Sequence, residues 1–148
     1  MRRRSMSQAM RQRDRPQAMN HQSSADKLRR IFSARIDLEF AVLVGSRATG
    51  TERGDSDWDI ALYWREGLLW LERVAKTETL RRELAKALGE NESRIDLIDL
   101  ANTNLAMRAA VAEEGLPLAG EDRPAWARFL RRTWRELEDF YWEKEHAA

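Results

Sequence analysis

Two short motifs near the middle of the chain carry residue types suited to phosphate and metal chemistry. Gly45 and Ser46 follow an apolar run, and after ten further residues Asp57 and Asp59 flank a single tryptophan. A glycine and a hydroxyl at a strand-to-helix corner leave backbone N–H groups open to phosphate oxygens, because glycine has no Cβ to block their approach. Alternate carboxylates on a strand lie roughly 6.5 to 7 Å apart at Cα, a span suited to two metal ions about 3.5 to 4 Å apart. Together the motifs predict a site for substrate phosphate groups and two metal ions.

Each motif taken alone also has an ordinary structural explanation. Gly45 and Ser46 suit any strand-to-helix corner, and residues 55–57 are typical of turns. Their joint spacing, with a predicted strand beside each, favours the functional interpretation. Arg47 and Arg53 lie between the motifs, where their guanidinium groups either contact triphosphate oxygens or remain solvated. They are candidate nucleotide-binding residues together with the glycine and serine.

A third carboxylate on a neighbouring strand would complete the metal site. Magnesium is the favoured ion, because it prefers hard oxygen ligands and binds through few carboxylates plus substrate phosphates. The candidates are Asp96 and Asp99, which lie three apart and face opposite ways in a regular strand. Alternation alone does not choose between them, and Asp96 is favoured because it sits inside the apolar run. His21 and His146 both lie outside the predicted core, so an imidazole base or metal ligand is not expected.

The elements that would position these residues follow from apolar periodicity. Strands are predicted over residues 40–44, 57–64, 95–100 and 116–118. Helices are predicted from 23 or 24 to before 36, from after 67 to 89, over 103–114, and from 124 onward. The first strand is predicted to be buried on both faces. The second is predicted to have one core face and an opposite face that carries acid, on which Asp57 and Asp59 alternate with residues of the core face and are followed by Ala61 and Tyr63. Interleaved helices and strands indicate an α/β sheet with helices packed against it.

Length, composition and charge limit the domain organisation and the cellular location that we expect. A chain of 148 residues with 43% hydrophobic content suits one compact domain, expected over residues 23–148. Residues 1–22 hold six arginines and one aspartate, and we expect a disordered basic tail, a cloning remnant or an upstream start before Met19, in preference to a nucleic-acid-binding arm. No cysteine occurs, and no apolar run is long enough to span a bilayer, so a cytoplasmic protein without membrane association is expected.

The order Gly-Ser, ten residues, then Asp-x-Asp resembles the signature of the polymerase β-like nucleotidyltransferase superfamily. The resemblance implies an α/β (α+β) fold with a small mixed sheet flanked by helices. It also implies that Gly45 and Ser46 hold the triphosphate and that Asp57, Asp59 and Asp96 are the catalytic, metal-binding carboxylates. No position of the motif is missing.

The short chain and the segment 111–118 (VAEEGLPL), followed by an acidic turn and a long helix, are similar to the minimal nucleotidyltransferase (MNT) antitoxins of HEPN/MNT toxin–antitoxin pairs. That resemblance implies Mg²⁺-dependent transfer of AMP from ATP to a tyrosine of a HEPN ribonuclease toxin, with which the chain would form a hetero-oligomer. Two alternatives remain open: transfer of a nucleotide to a small molecule such as an antibiotic, or neutralisation of a toxin by binding alone.

The last predicted helix is unusually rich in aromatic and aliphatic side chains. Its large apolar residues are Trp126, Phe129, Leu130, Trp134, Leu137, Phe140, Tyr141 and Trp142. This is more apolar surface than one helix needs to cover a small sheet. Part of it is therefore either a partner surface or additional core.

Overall fold

A computed structural model describes residues 24–147 of the chain. Its elements are α1 (24–33), β1 (Leu38–Val44), α2 (Ser46–Thr49), β2 (Trp58–Trp64), α3 (Trp70–Leu88), β3 (Ile95–Asp99), α4 (Leu105–Glu114), β4 (Leu116–Ala119) and α5 (Pro124–His146). Single 3-10 turns at Glu92–Arg94 and Leu100–Asn102 flank β3. The predicted tail 1–22 and a helix start at Ser23 lie outside the described residues.

The four strands form one mixed sheet in the order β3-β2-β1-β4. β1 runs antiparallel to both β2 and β4, whereas β2 and β3 are parallel. The parallel pair needs a long crossover, which α3 provides. The α/β (α+β) fold with a small mixed sheet, expected from the resemblance, is confirmed.

β1 is the centre of the molecule and is buried on both faces, as the sequence predicted. Leu38, Ala41 and Leu43 pack with α1 and α3, while Phe40 and Val42 pack with α4 and α5. These two apolar clusters are separated only by the sheet. Because successive side chains of β1 point to opposite faces of the sheet, this one strand contributes to both clusters.

Both faces of β2 contribute to the core. Trp58, Ile60 and Leu62 face the cluster under α1 and α3. The opposite face carries acid at its beginning, and Ala61 and Tyr63 further along join the second cluster under α4 and α5. The sequence predicted that this face carries acid, and the structure adds that its later part is core.

The other observed helix and strand boundaries differ from the predicted ones by a few residues. β1 begins at Leu38, two residues earlier than predicted, and α4 begins at Leu105, two residues later. The α4 start is set by Asn104, whose side chain accepts a hydrogen bond from the backbone N–H of Met107 at 2.9 Å. The helix α3, predicted to start after residue 67, begins at Trp70 after an exposed turn. The strand β2 begins at Trp58, so Asp57, predicted as its first residue, lies directly before it.

Candidate active site

Gly45, directly after β1, occupies a position that only glycine fits. Its backbone has φ +73° and ψ −157°, a region that other residues rarely adopt. A Cβ at this position would lie 2.3 Å from Oδ2 of Asp59, well inside contact distance. The missing side chain therefore makes room for the Asp59 carboxylate. The two predicted motifs, ten residues apart in sequence, touch in the fold.

The predicted strand-to-helix corner is present. Ser46 opens the one-turn helix α2, and the N–H groups of Ala48 and Thr49 donate to the Gly45 carbonyl at 3.1 and 3.2 Å. The N–H groups at the start of a helix have no acceptor inside it, so those at Ser46 and Arg47 are available to an anion. The Ser46 side chain is half-buried beside them.

Asp57, Asp59 and Asp96 lie at one end of the sheet. Asp59 pairs in register with Asp96 on the parallel strand β3, and aligned residues point to the same face. Asp57 precedes β2 by one residue and is exposed. Burial raises the pKa of the Asp59 carboxyl, and the negative charges of Asp96 and Asp57 raise this pKa further. The three acids are therefore close enough to repel one another.

Asp99, the other candidate for the third carboxylate, lies apart from this group. It aligns with Leu62 on the opposite face of the sheet, toward α3. Its Oδ2 lies 3.9 Å from Nε of Arg73, and its Oδ1 accepts a hydrogen bond from the Ala101 N–H at 3.1 Å. Asp99 thus caps the following 3-10 turn, whereas Asp96 shares a face with Asp59.

Arginines brace the loop that carries Asp57. Arg47 donates to the Ser56 carbonyl from Nε at 3.2 Å and Nη2 at 2.9 Å, and its guanidinium stacks 4.0 Å from the ring centroid of Trp58. Arg94 donates to the Asp55 carbonyl. Arg47, predicted as a nucleotide ligand, is thus already engaged in holding the loop.

Arg53 is the exposed member of the two predicted loop arginines. Its backbone N–H donates to Ser56 Oγ at 2.8 Å, and its side chain is exposed. Sequence reasoning missed Arg94. The sequence shows only a basic residue directly before the predicted strand 95–100, and the pairing of Ile95 with Trp58, which brings Arg94 to this loop, is seen only in the structure.

The acidic group suits divalent cations that are completed by substrate oxygens. Carboxylates are the hard oxygen donors that Mg²⁺ prefers, and Mg²⁺ commonly uses only one or two of them together with phosphates. Residues 24–147 contain no ready-made cluster of three acidic or histidine side chains able to hold an ion. The negative charges of Asp96 and Asp57 nevertheless raise the pKa of the Asp59 carboxyl, so the three carboxylates repel one another at this end of the sheet. A cation would remove that repulsion, so the residues present fit the metal implied by the resemblance.

Comparison with solved structures finds the same architecture in toxin–antitoxin complexes. A toxin–antitoxin with AMP-PNP has a TM-score of 0.64 and 25% identity, with 82% of this chain and 92% of that chain covered. The MntA–HepT toxin–antitoxin has a TM-score of 0.60 and 24% identity, covering 84% and 92%. A tri-AMPylated Shewanella oneidensis HEPN toxin in complex with MNT antitoxin gives 0.60 and 22%, covering 84% and 92%. The two likenesses below 25% identity establish the fold alone.

None of the curated proteins compared with the chain matches it. The family model described as Polymerase beta, Nucleotidyltransferase matches residues 26–124, which is more than half of the chain and includes every candidate site residue. Among the described residues, none of the helices combines the length and apolar character needed to cross a membrane. The sequence motif, the contact between Gly45 and Asp59 and the family match agree, and the chain belongs to the polymerase beta nucleotidyltransferase family.

Proposed function

We propose that Asp57, Asp59 and Asp96 hold two Mg²⁺ ions and that Gly45 and Ser46 bind the triphosphate of ATP. The observation that carries this proposal is the convergence of the three carboxylates beside the Gly45 corner, where two of them raise the pKa of the third. When bound, divalent ions neutralise carboxylates and phosphates and lower the pKa of an attacking hydroxyl. The sheet and the braced loop supply the positioning, on which nucleotidyl transfer largely depends.

The reaction joins an acceptor hydroxyl to the α-phosphorus of ATP. A bond forms between the acceptor oxygen and the α-phosphorus, the bond to the bridging oxygen of the β-phosphate breaks, and pyrophosphate leaves. The acceptor proton is lost to water or to an acidic side chain, for which Asp96 is the candidate because it is exposed and lies beside Asp59. N–H groups at the start of α2 stabilise negative charge on the phosphates. Arg53, exposed in the adjacent loop, is the candidate for an additional phosphate contact.

We further propose that the acceptor is a tyrosine of a HEPN toxin and that the chain is its MNT antitoxin, acting in the cytoplasm as a hetero-oligomer with that toxin. Two observations support this assignment: the likeness to a toxin–antitoxin with AMP-PNP, and the similar fold in a complex with a tri-AMPylated HEPN toxin. The match covers 92% of each of those chains.

The test uses the product of a neighbouring HEPN gene, purified with and without this protein, Mg²⁺ and ATP. Intact-mass and peptide measurements should show AMP added to a tyrosine. The double variant Asp57→Asn/Asp59→Asn should abolish this modification while the complex still forms. Asp55→Asn is the matched control, because its carboxylate is exposed in the same loop and has no partner among residues 24–147.

The same variants separate modification from neutralisation by binding alone. If AMP transfer is the means of protection, cells carrying the toxin and the double variant stop growing, whereas cells carrying Asp55→Asn grow. Full protection by the double variant would refute the enzymatic antitoxin and leave a binding antitoxin. Transfer of AMP to an aminoglycoside-type small molecule, with none to the toxin, would refute the assignment of the acceptor.

A further inference from the structure

The charges of the last helix, α5, are arranged against its own dipole. Residues 124–135 contain four arginines and no acid, whereas residues 136–147 contain five acids and one lysine. A helix is stabilised by acidic residues near its N-terminus and basic residues near its C-terminus. The opposite arrangement here destabilises the helix, so these charges are not placed to stabilise the helix itself.

The basic half of α5 borders a groove of about 840 Å³. The other wall comes from the end of β2, the turn after β3 and the start of α4. Arg65 and Arg108 add positive charge there, and Glu39 and Glu66 are its two acidic residues. Arg65 lies 3.6 Å from Glu39, while Arg108 and Arg132 share Glu136. The remaining arginines are exposed and have no ion-pair partner among residues 24–147; these are Arg128, Arg131 and Arg135.

The acidic half of α5 extends beyond the body of the domain. Every residue from 138 to 147 is exposed. Phe140, Tyr141 and Trp142 are 50%, 58% and 61% exposed, although such rings are normally covered. A helical end with no packed face is marginal in water. Trp142 stacks on His146 within the helix, with ring centroids 4.3 Å apart, but its ring and those of Phe140 and Tyr141 remain largely exposed to solvent.

The basic half of α5 in one copy is complementary to the acidic half in a second copy when the two helices lie antiparallel. The unpaired arginines at 128, 131 and 135 have spacings of three and then four residues. In the reverse direction the same spacings separate Glu145, Trp142 and Glu138, which continue the same helical face. A twofold pairing brings Arg135 opposite Glu138 of the other copy, Arg131 opposite its Trp142, and Arg128 opposite its Glu145.

We propose that two copies of this chain associate through antiparallel α5 helices, each seating its acidic, aromatic half in the basic groove of the other. Twofold pairing makes every contact twice, which is the commonest symmetry of homo-oligomers. It supplies carboxylates for the free arginines, a cation–π contact for Trp142 and cover for the exposed rings. A nucleic acid would account for the basic groove alone and would be repelled by the acidic half beside it.

The test is a charge exchange followed by sedimentation equilibrium on the full chain. One variant is Arg128→Glu/Arg131→Glu/Arg135→Glu, which makes both halves acidic. The other is Glu138→Arg/Asp139→Arg/Glu145→Arg, which makes both halves basic. The wild type should be a dimer that dissociates as salt is raised, because the contacts are largely between charges. Each variant alone should dissociate at least about tenfold more readily.

The two variants mixed in equal amounts should form a heterodimer, since each then offers what the other lacks. The matched control is Lys27→Glu/Arg29→Glu/Arg30→Glu, which changes net charge by the same amount on exposed positions of α1 and should leave the dimer intact. A wild type that stays monomeric at low salt, or a mixture that stays monomeric, overturns the proposal. The pairing does not depend on the proposed reaction, because every residue changed lies outside the acidic site.

Discussion

Substitution of Gly45 by alanine tests the central contact of the site. The new Cβ would lie 2.3 Å from Oδ2 of Asp59, whereas real Cβ atoms essentially never come closer than 3.0 Å to another heavy atom. The carboxylate or the backbone must therefore move by at least about 0.7 Å, and a displacement near 1 Å in a positioned catalytic group costs on the order of 100-fold in rate. The backbone of Gly45, at φ +73° and ψ −157°, adds a cost of about 1 to 3 kcal/mol in stability.

The assay is pyrophosphate release with ATP, Mg²⁺ and the acceptor protein, measured alongside denaturant unfolding. Gly50→Ala is the matched control, because Gly50 also has positive φ (+77°) but its Cβ would meet nothing within 4 Å. We expect Gly50→Ala to lose about 1 kcal/mol of stability with turnover retained. If Gly45→Ala keeps turnover within a few-fold of Gly50→Ala, the carboxylate does not need its observed position and the reasoning fails.

Three further predictions follow from individual contacts. Asp59→Asn should raise the unfolding midpoint at neutral pH. Because the pKa of Asp59 is raised in the folded state, protonated Asp59 stabilises the fold below the ordinary pKa of 3.8. That stability is lost as the pH rises through the folded-state pKa, and asparagine does not lose it. The gain in unfolding midpoint over the wild type should shrink toward pH 4. An equal gain at neutral pH and at pH 4 would contradict an origin in the ionisation of Asp59. Thr133→Val should stabilise by about 1 kcal/mol in urea unfolding, because the Thr133 hydroxyl is fully buried and has no hydrogen-bond partner among the described residues; a loss of stability would show that a partner exists. Arg47→Ala should cost about 1 to 3 kcal/mol and slow turnover by loosening the loop, and a change in the KM for ATP alone, with unfolding unaffected, would indicate phosphate binding instead.

The parts of the fold that the sequence predicted are those governed by local pattern. The apolar run ending at Val44 predicts a buried strand because no polar residue interrupts it, and β1 is buried on both faces. Alternation also predicts that Asp57 and Asp59 share a strand face. Asp57 lies one residue before β2, and its negative charge contributes to the raised pKa of Asp59. Gly45 was predicted to allow phosphate approach, whereas the structure adds a second reason for glycine, the contact with Asp59.

What the sequence left undecided depends on how strands are placed side by side. Asp96 and Asp99 are both acidic residues within one apolar run, and only the register of β3 against β2 shows which one aligns with Asp59. The same limit applies to Arg94, whose contact with the Asp55 carbonyl joins residues far apart in the chain. Such placement depends on packing between distant segments, which periodicity within one segment does not encode.

The long helix α3 is what makes this register possible. In a parallel pair the beginnings of both strands meet at the same edge, so Asp59 and Asp96 become neighbours near the starts of β2 and β3. Had a short turn joined these strands as an antiparallel hairpin, the start of β3 would lie near Tyr63, four residues and roughly 13 Å along β2 from Asp59. The crossover contains the 19-residue helix α3, which is anchored in the core by Leu80 and Leu84, and it returns the chain to the correct edge. The packing of α3 therefore determines whether the third carboxylate reaches the site at all, and the acidic group is a property of the topology as much as of the motif.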